Sequence, residues 1–122
     1  MYMANVTIGT PPQDIALAID TGSSDIWMLS SKADICNDVR DERDGNGCVG
    51  GTFNSALSST AQVISEEGFE IQYEDSTGSY GDWITDDFSI NGAEVKNLQM
   101  GLAYSSTCKY SFALLIKYPD AL

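Results

Sequence analysis

The sequence predicts an all-β fold. Short apolar runs with period-two alternation recur along the chain, and Gly, Pro and Asn clusters of turn type separate them. No stretch carries the 3.6-residue periodicity of a helix of useful length. At 122 residues the chain fits one domain, and 43% apolar content is enough to build a core.

The elements follow in order. Residues 2–9 alternate and run into Gly9-Thr10-Pro11-Pro12, a strong turn signal. Residues 14–20 place Ile15, Leu17 and Ile19 on one face and Ala16 and Ala18 on the other, so this strand is expected to be buried. Asp20 ends it, and Ile26 to Leu29 form another short apolar run. Residues 30–60, rich in Ser, Asp, Asn and Gly, read as a long exposed loop with at most a short helical turn near 55–59. Strands resume at about 61, where Phe69, Ile71 and Tyr73 alternate with polar residues. A turn at 74–78 leads to a return strand through Trp83, Ile84, Phe88 and Ile90. Asn91-Gly92 is the best two-residue hairpin turn in the chain, and Leu98, Met100, Leu102 and Tyr104 alternate after it.

Charge and composition narrow the function. Six basic against 18 acidic residues give a net charge of −12, so no basic patch exists to neutralise nucleic-acid phosphates or an anionic membrane. There are no histidines, which removes the commonest metal ligand and every Ser-His or Cys-His nucleophile. No metal or other cofactor is therefore expected, and no apolar stretch approaches the roughly 20 residues of a membrane-spanning helix. Of the three cysteines, Cys36 and Cys48 flank a polar segment and could close it as a disulfide. A loop of that size gains about 3 kcal/mol in the chain-entropy model. Cys108 is left over.

Carboxylates remain as the chemistry. In Asp20-Thr21-Gly22-Ser23-Ser24 an aspartate ends an apolar strand and is followed at once by hydroxyls and a glycine. Gly22 permits a tight turn, and backbone N–H groups with the Ser23 hydroxyl could hold the carboxylate ionised. Taken alone, the triplet reads more readily as an Asx-type turn closing a buried strand.

The flanking motifs resemble the amino-terminal lobe of a pepsin-like aspartic protease of the fungal secreted type. Gly9-Thr10-Pro11-Pro12-Gln13, the catalytic-type segment from Ile15 to Trp27, Phe53-Asn54 with Ser58-Ser59-Thr60, and Ile71-Gln72-Tyr73 with Gly81-Asp82 come in family order and spacing. Gly101-Leu102-Ala103 and Tyr118-Pro119 resemble the later strands, so the resemblance spans about the whole chain. It implies a six-stranded-type β-barrel or sandwich half with a flap hairpin, residues 1–122 being that lobe and the carboxy-terminal lobe being absent. It implies an aspartic endopeptidase that cleaves peptide or protein substrates at acidic pH, with water activated between two aspartates.

The resemblance also assigns roles. Asp20 would be one catalytic aspartate, Thr21 would lock the catalytic loops together, Gly22 would allow the turn, and Ser23 would bond the outer carboxylate oxygen. Tyr73 would be the flap tyrosine paired with Trp27, and Asp75 and Thr77 would bond the substrate backbone. By themselves Trp27 and Tyr73 read more readily as core aromatics. Secretion or display at the cell surface is implied by the family together with the Cys36–Cys48 bridge.

This sequence departs from the family pattern in three places. Only one Asp-Thr-Gly occurs in it. Glu74 and Ser76 stand at the flap tip where the family carries glycines. Phe112, Leu115 and Lys117 replace glycines in the segment ending Tyr118-Pro119, where bulk is expected to strain the packing. One lobe with one catalytic aspartate is expected to be inactive by itself, lacking its second lobe. Alternatives are a non-catalytic peptide-binding or pseudo-protease module, or a homodimer with Asp20 from each chain, for which Ala113-Leu114-Leu115-Ile116 is a candidate dimer strand. The acidic run at 38–44 fails an EF-hand register, since Arg40 takes the first ligand position and Gly51 the twelfth. Asn5-Val6-Thr7 matches a glycosylation sequon but falls in an expected strand, which favours a plain strand residue.

Overall fold

A computed structural model of the chain describes residues 3–19, 26–37, 48, 50–72, 76, 78–106 and 111–113. The alternating runs become strands. Met3–Ile8 forms β1 and Gln13–Ile19 forms β2, antiparallel, with Val6 opposite Ile15. Gly9 turns the chain between them at a φ of 91°, where a Cβ would also lie 2.8 Å from the Ser58 hydroxyl. The apolar run after Ile26 becomes β3, Trp27–Leu29, buried at all three positions. Gln62–Gln72 is β4, Gly78–Ile90 is β5 and Ala93–Ser106 is β6. Asn91 and Gly92 join β5 to β6 with φ of 50° and 85°. Left-handed conformation at both central residues is the geometry for which Asn-Gly is selected in two-residue hairpins.

A short seventh strand, β7 at Ser111–Ala113, completes a sheet of order β1-β2-β7-β3-β6-β5-β4. β1 also pairs with β5, Thr7 opposite Ser89 and Ile8 opposite Phe88. The strands β1, β2, β7, β3, β6 and β5 thus close a ring, and β4 extends from β5 outside it. Closure leaves a single apolar interior, filled by Val6, Ile8, Leu17, Met28, Ile84, Phe88 and Met100 among others. The sheet is mixed, since β2 pairs with β7 and β3 with β6 in parallel. Period two then sends Trp27, Leu29 and Ala103 to the opposite face, where they form a second cluster with Phe69 and Ala33. No helix among the described residues is long and apolar enough to cross a membrane.

Among the described residues of 30–60, the structure corrects the expectation of a long exposed loop; residues 38–47 and 49 lie outside them. Phe53 and Ala33 are fully buried, and Ser30 bridges Phe53 in parallel. The polar composition hid this, because one aromatic anchors a segment whose other needs are met by hydrogen bonds. Phe53 N–H donates to Leu29 C=O at 2.8 Å, and Ser31 N–H donates to Phe53 C=O at 2.9 Å. Short 3₁₀ turns occur at Asp34–Asn37 and at Ser55–Leu57, the second inside the expected 55–59. β7 was not among the strands expected from alternation, being three residues long with no period to read.

Asp86 lies at the centre of a hydrogen-bonded knot and is fully buried. Ser58 Oγ donates to its Oδ2 at 2.7 Å, Thr60 Oγ1 to its Oδ1 at 2.6 Å, and Asp87 N–H to its Oδ1 at 2.7 Å. Ser58 Oγ accepts in turn from Thr10 N–H at 3.1 Å, so the knot ties the 9–12 turn to β5. A carboxyl group taken out of water needs such hydrogen-bond partners. Asp86→Ala leaves the Ser58 and Thr60 hydroxyls without their acceptor and is expected to cost about 3 kcal/mol. Lys96→Ala, which removes a 72% exposed cation 4.0 Å from Asp87, is expected to cost less than about 0.5 kcal/mol. Urea unfolding midpoints of the two variants check the contrast; equal midpoints would contradict it.

Candidate functional site

β7 wedges between β2 and β3. Leu17, Ala18 and Ile19 register with Ser111, Phe112 and Ala113, and Trp27 registers with Phe112 from the other side. The strand preceding Asp20 and the strand following Ser24 are therefore held one β7 width apart at their backbones. Asp20, Thr21, Gly22 and Ser23 lie outside the described residues, as do Tyr73, Asp75 and Thr77.

Trp27 is fully buried. Its ring centroid lies 5.9 Å from that of Phe69 on β4, and Phe69 meets Trp83 on β5 edge-on at 5.1 Å and 78°. Gly101 of β6 makes room for this stack, since a Cβ there would sit 2.6 Å from the Phe69 ring. Trp27 thus sits in a core position, beneath the β4–β5 hairpin. The same cluster receives the disulfide between Cys36 and Cys48, whose Cα atoms are 4.9 Å apart. The bridge fastens the segment after β3 to the aromatic stack. Asp34 fastens it to β6, because Ser105 Oγ donates to Asp34 Oδ2 at 3.3 Å and Ser106 N–H donates to Oδ1 at 3.2 Å.

Other motif residues meet across the fold. Gln13 Nε2 donates to Asn54 C=O and Asn54 N–H donates to Gln13 Oε1, both at 2.9 Å. The Pro-Pro-Gln and Phe-Asn motifs are therefore two halves of one clamp. Among the described residues no group of His, Cys, Asp and Glu is arranged to hold a metal ion.

The hairpin legs register Ile71 with Ser79 and Gln72 with Gly78. Beside them lies an open groove of about 250 Å³ lined by Glu70, Gln72, Ser76, Ser79, Tyr80 and Ser106 among others. Its lining is rich in hydroxyl and amide groups, and Ser79 and Ser106 hydroxyls bond each other at 2.7 Å. Desolvation, and then the Glu67 carboxylate that accepts from the phenol, raise the Tyr80 pKa above 10.0, so Tyr80 stays a neutral donor at any acidic or neutral pH. Glu67 is itself positioned by its N–H, which donates to Asp82 Oδ1 at 2.8 Å.

A sequence model described as eukaryotic aspartyl protease matches residues 1–114. The chain belongs to that family. It is 40% identical over 120 residues, 98% of its length, to a probable aspartic-type endopeptidase opsB of Aspergillus fumigatus. It is 41% identical over 107 residues to podosporapepsin of Podospora anserina, covering 86% of the chain, and 33% identical over 134 residues to barrierpepsin of Saccharomyces cerevisiae, covering 97%. The chain spans about a quarter of the length of these relatives, 24%, 23% and 22% respectively. The mostly β ring with its hairpin agrees with the pepsin-like lobe that the motifs imply.

Sequence reasoning missed the part played by Phe69 and Gly101. The available signal was a glycine within an alternating strand, which marks a close approach. Ser76, one of the residues standing at a family glycine position, has a φ of 72°. A side chain in that conformation costs about 1–2 kcal/mol, whereas glycine costs about 0.5–1 kcal/mol in unfolded-state entropy. Ser76→Gly is therefore expected to raise stability by roughly 0.5 kcal/mol, and Ser76→Val to lower it by more than that. Denaturant midpoints measure both; a loss in the glycine variant would contradict the assignment.

Proposed function

We propose that this chain is the amino-terminal lobe of an aspartic endopeptidase and that Asp20 is one of its two catalytic carboxylates. The observation that carries this reading is Asp20-Thr21-Gly22-Ser23-Ser24 following, in sequence, strand β2 with its buried Ile15, Leu17 and Ala18, in a member of the aspartyl protease family. Two carboxylates sharing one proton activate a water, which adds to the peptide carbonyl, while the protonated partner supplies the proton that the leaving amine needs. Thr21, Gly22 and Ser23 orient Asp20. Tyr73, Asp75 and Thr77 on the β4–β5 hairpin close over an extended peptide and bond its backbone. Trp27, through Phe69, fixes the base of that hairpin relative to the strand after Asp20.

The lobe supplies one carboxylate, so it is inactive until a second lobe, or less favourably a second copy, supplies the other. The half-buried Cys36–Cys48 bridge supports passage through an oxidising compartment and secretion. Fused to the carboxy-terminal lobe of a relative, the chain is expected to hydrolyse peptides at acidic pH, with inhibition by a transition-state mimic. Asp20→Asn should lower the rate on the order of 10³-fold. Unchanged hydrolysis in that variant would remove Asp20 from the mechanism. Inhibitor binding without hydrolysis would favour the peptide-binding module. Hydrolysis by the unfused chain that rises with the square of its concentration would assign the second carboxylate to a second copy.

A further inference from the structure

We propose that Asn5 is the acceptor of an N-linked oligosaccharide. The strand placement that counted against the Asn5-Val6-Thr7 sequon becomes an argument for it once the faces of β1 are known. Val6 and Ile8 point into the core, at 3% and 0% exposure, while Asn5, the residue before Val6, is exposed. Period two puts Thr7 on the same face as Asn5. The residue directly opposite Asn5 on β2 is Ala16, so no large side chain stands across from it. Among the described residues no side-chain hydrogen bond engages the Asn5 amide. The folded lobe therefore leaves room for a bulky, solvated substituent at the one position of this sequence where Asn-X-Ser/Thr occurs.

Transfer happens on the extended chain, before β1 is paired, so the strand does not obstruct it. The donor is a lipid-linked oligosaccharide pyrophosphate. A bond forms between Asn5 Nδ2 and the anomeric carbon of the sugar, the bond from that carbon to the pyrophosphate oxygen breaks, and the lipid pyrophosphate leaves. One amide proton goes to the transferase base. No oxidation or reduction is involved. The hydroxyl two residues on, Thr7, completes the sequence that the transferase reads.

This inference rests on the secretory route proposed above, and the test imposes that route so that the two can fail separately. The 122-residue chain is expressed in yeast behind a secretion leader and a short polar spacer. Protein from the medium, or from the lysate if it is retained, is mapped by peptide mass spectrometry before and after amidase removal of N-glycans. The expected result is a single oligosaccharide on the peptide containing Asn5, removed by the amidase with an aspartyl residue left in its place. Asn5→Gln and Thr7→Val are expected to abolish the mass shift, and Thr7→Ser to keep it. Thr7→Ser, a mild exchange, guards against loss of signal through misfolding. Chain with Cys36 and Cys48 oxidised to the disulfide but with Asn5 unmodified would overturn the site. That outcome leaves the role of Asp20 untouched.

Discussion

Phe69 lies against Gly101, with Trp27 on one side and Trp83 on the other. This contact joins parts of the fold that backbone pairing does not. β3 and β4 are not neighbours in the sheet, being separated by β6 and β5. The phenyl ring crosses that gap because β6 presents a glycine, Gly101, beneath it. Burying such a ring contributes several kcal/mol, and truncating one in a core costs about 3–5 kcal/mol. The disulfide, Ile71 and Ile35 pack on the same cluster, so the hairpin base, the segment after β3 and the strand after Asp20 share one set of contacts.

Closure of the ring sets the second constraint. β1 reaches β5 at only Thr7 and Ile8, and the knot around Asp86 sits beside that seam. Gly9 N–H donates to Asp87 C=O at 3.0 Å and extends the seam by one bond. A buried carboxylate is a costly way to hold a turn, and a hydrophobic contact of equal size would often be as stable. What the carboxylate adds is direction, since each of its partners must approach along a lone pair. The Gln13–Asn54 clamp uses directed bonds in the same way at the next residues along. The 9–12 turn and the segment 54–60 are therefore held by hydrogen bonds, and the ring's interior by apolar packing.

Much of this was legible in the sequence. The alternating runs gave β1, β2, β5 and β6, and Asn91-Gly92 marked its hairpin because its left-handed turn has a narrow residue preference. The family was legible from motifs in order, and so was the Cys36–Cys48 bridge. β7 was not, since three residues show no period and their strand character comes from being caught between β2 and β3. Phe53 was hidden by its polar surroundings. Asp86 looked like one acid among 18, because nothing in the sequence distinguishes a buried carboxylate from a solvated one until its hydroxyl partners are brought from 26 and 28 residues away. Asp20 carries the clearest motif of the candidate site. Its placement, like that of Tyr73, Asp75 and Thr77, lies outside the described residues.

Phe69 thus couples β3 to the hairpin. Amide hydrogen exchange in Phe69→Leu tests it most directly, because the substitution keeps an apolar side chain while removing the ring from its two tryptophans. A loss of about 1.4 kcal/mol corresponds to tenfold faster exchange, and local openings report such losses segment by segment. Amides of Trp27–Leu29 and of residues 78–81 are expected to lose protection together by about that factor, while Val6 and Ile15 lose less. Faster exchange confined to β4 and β5, with Trp27–Leu29 unchanged, would contradict it.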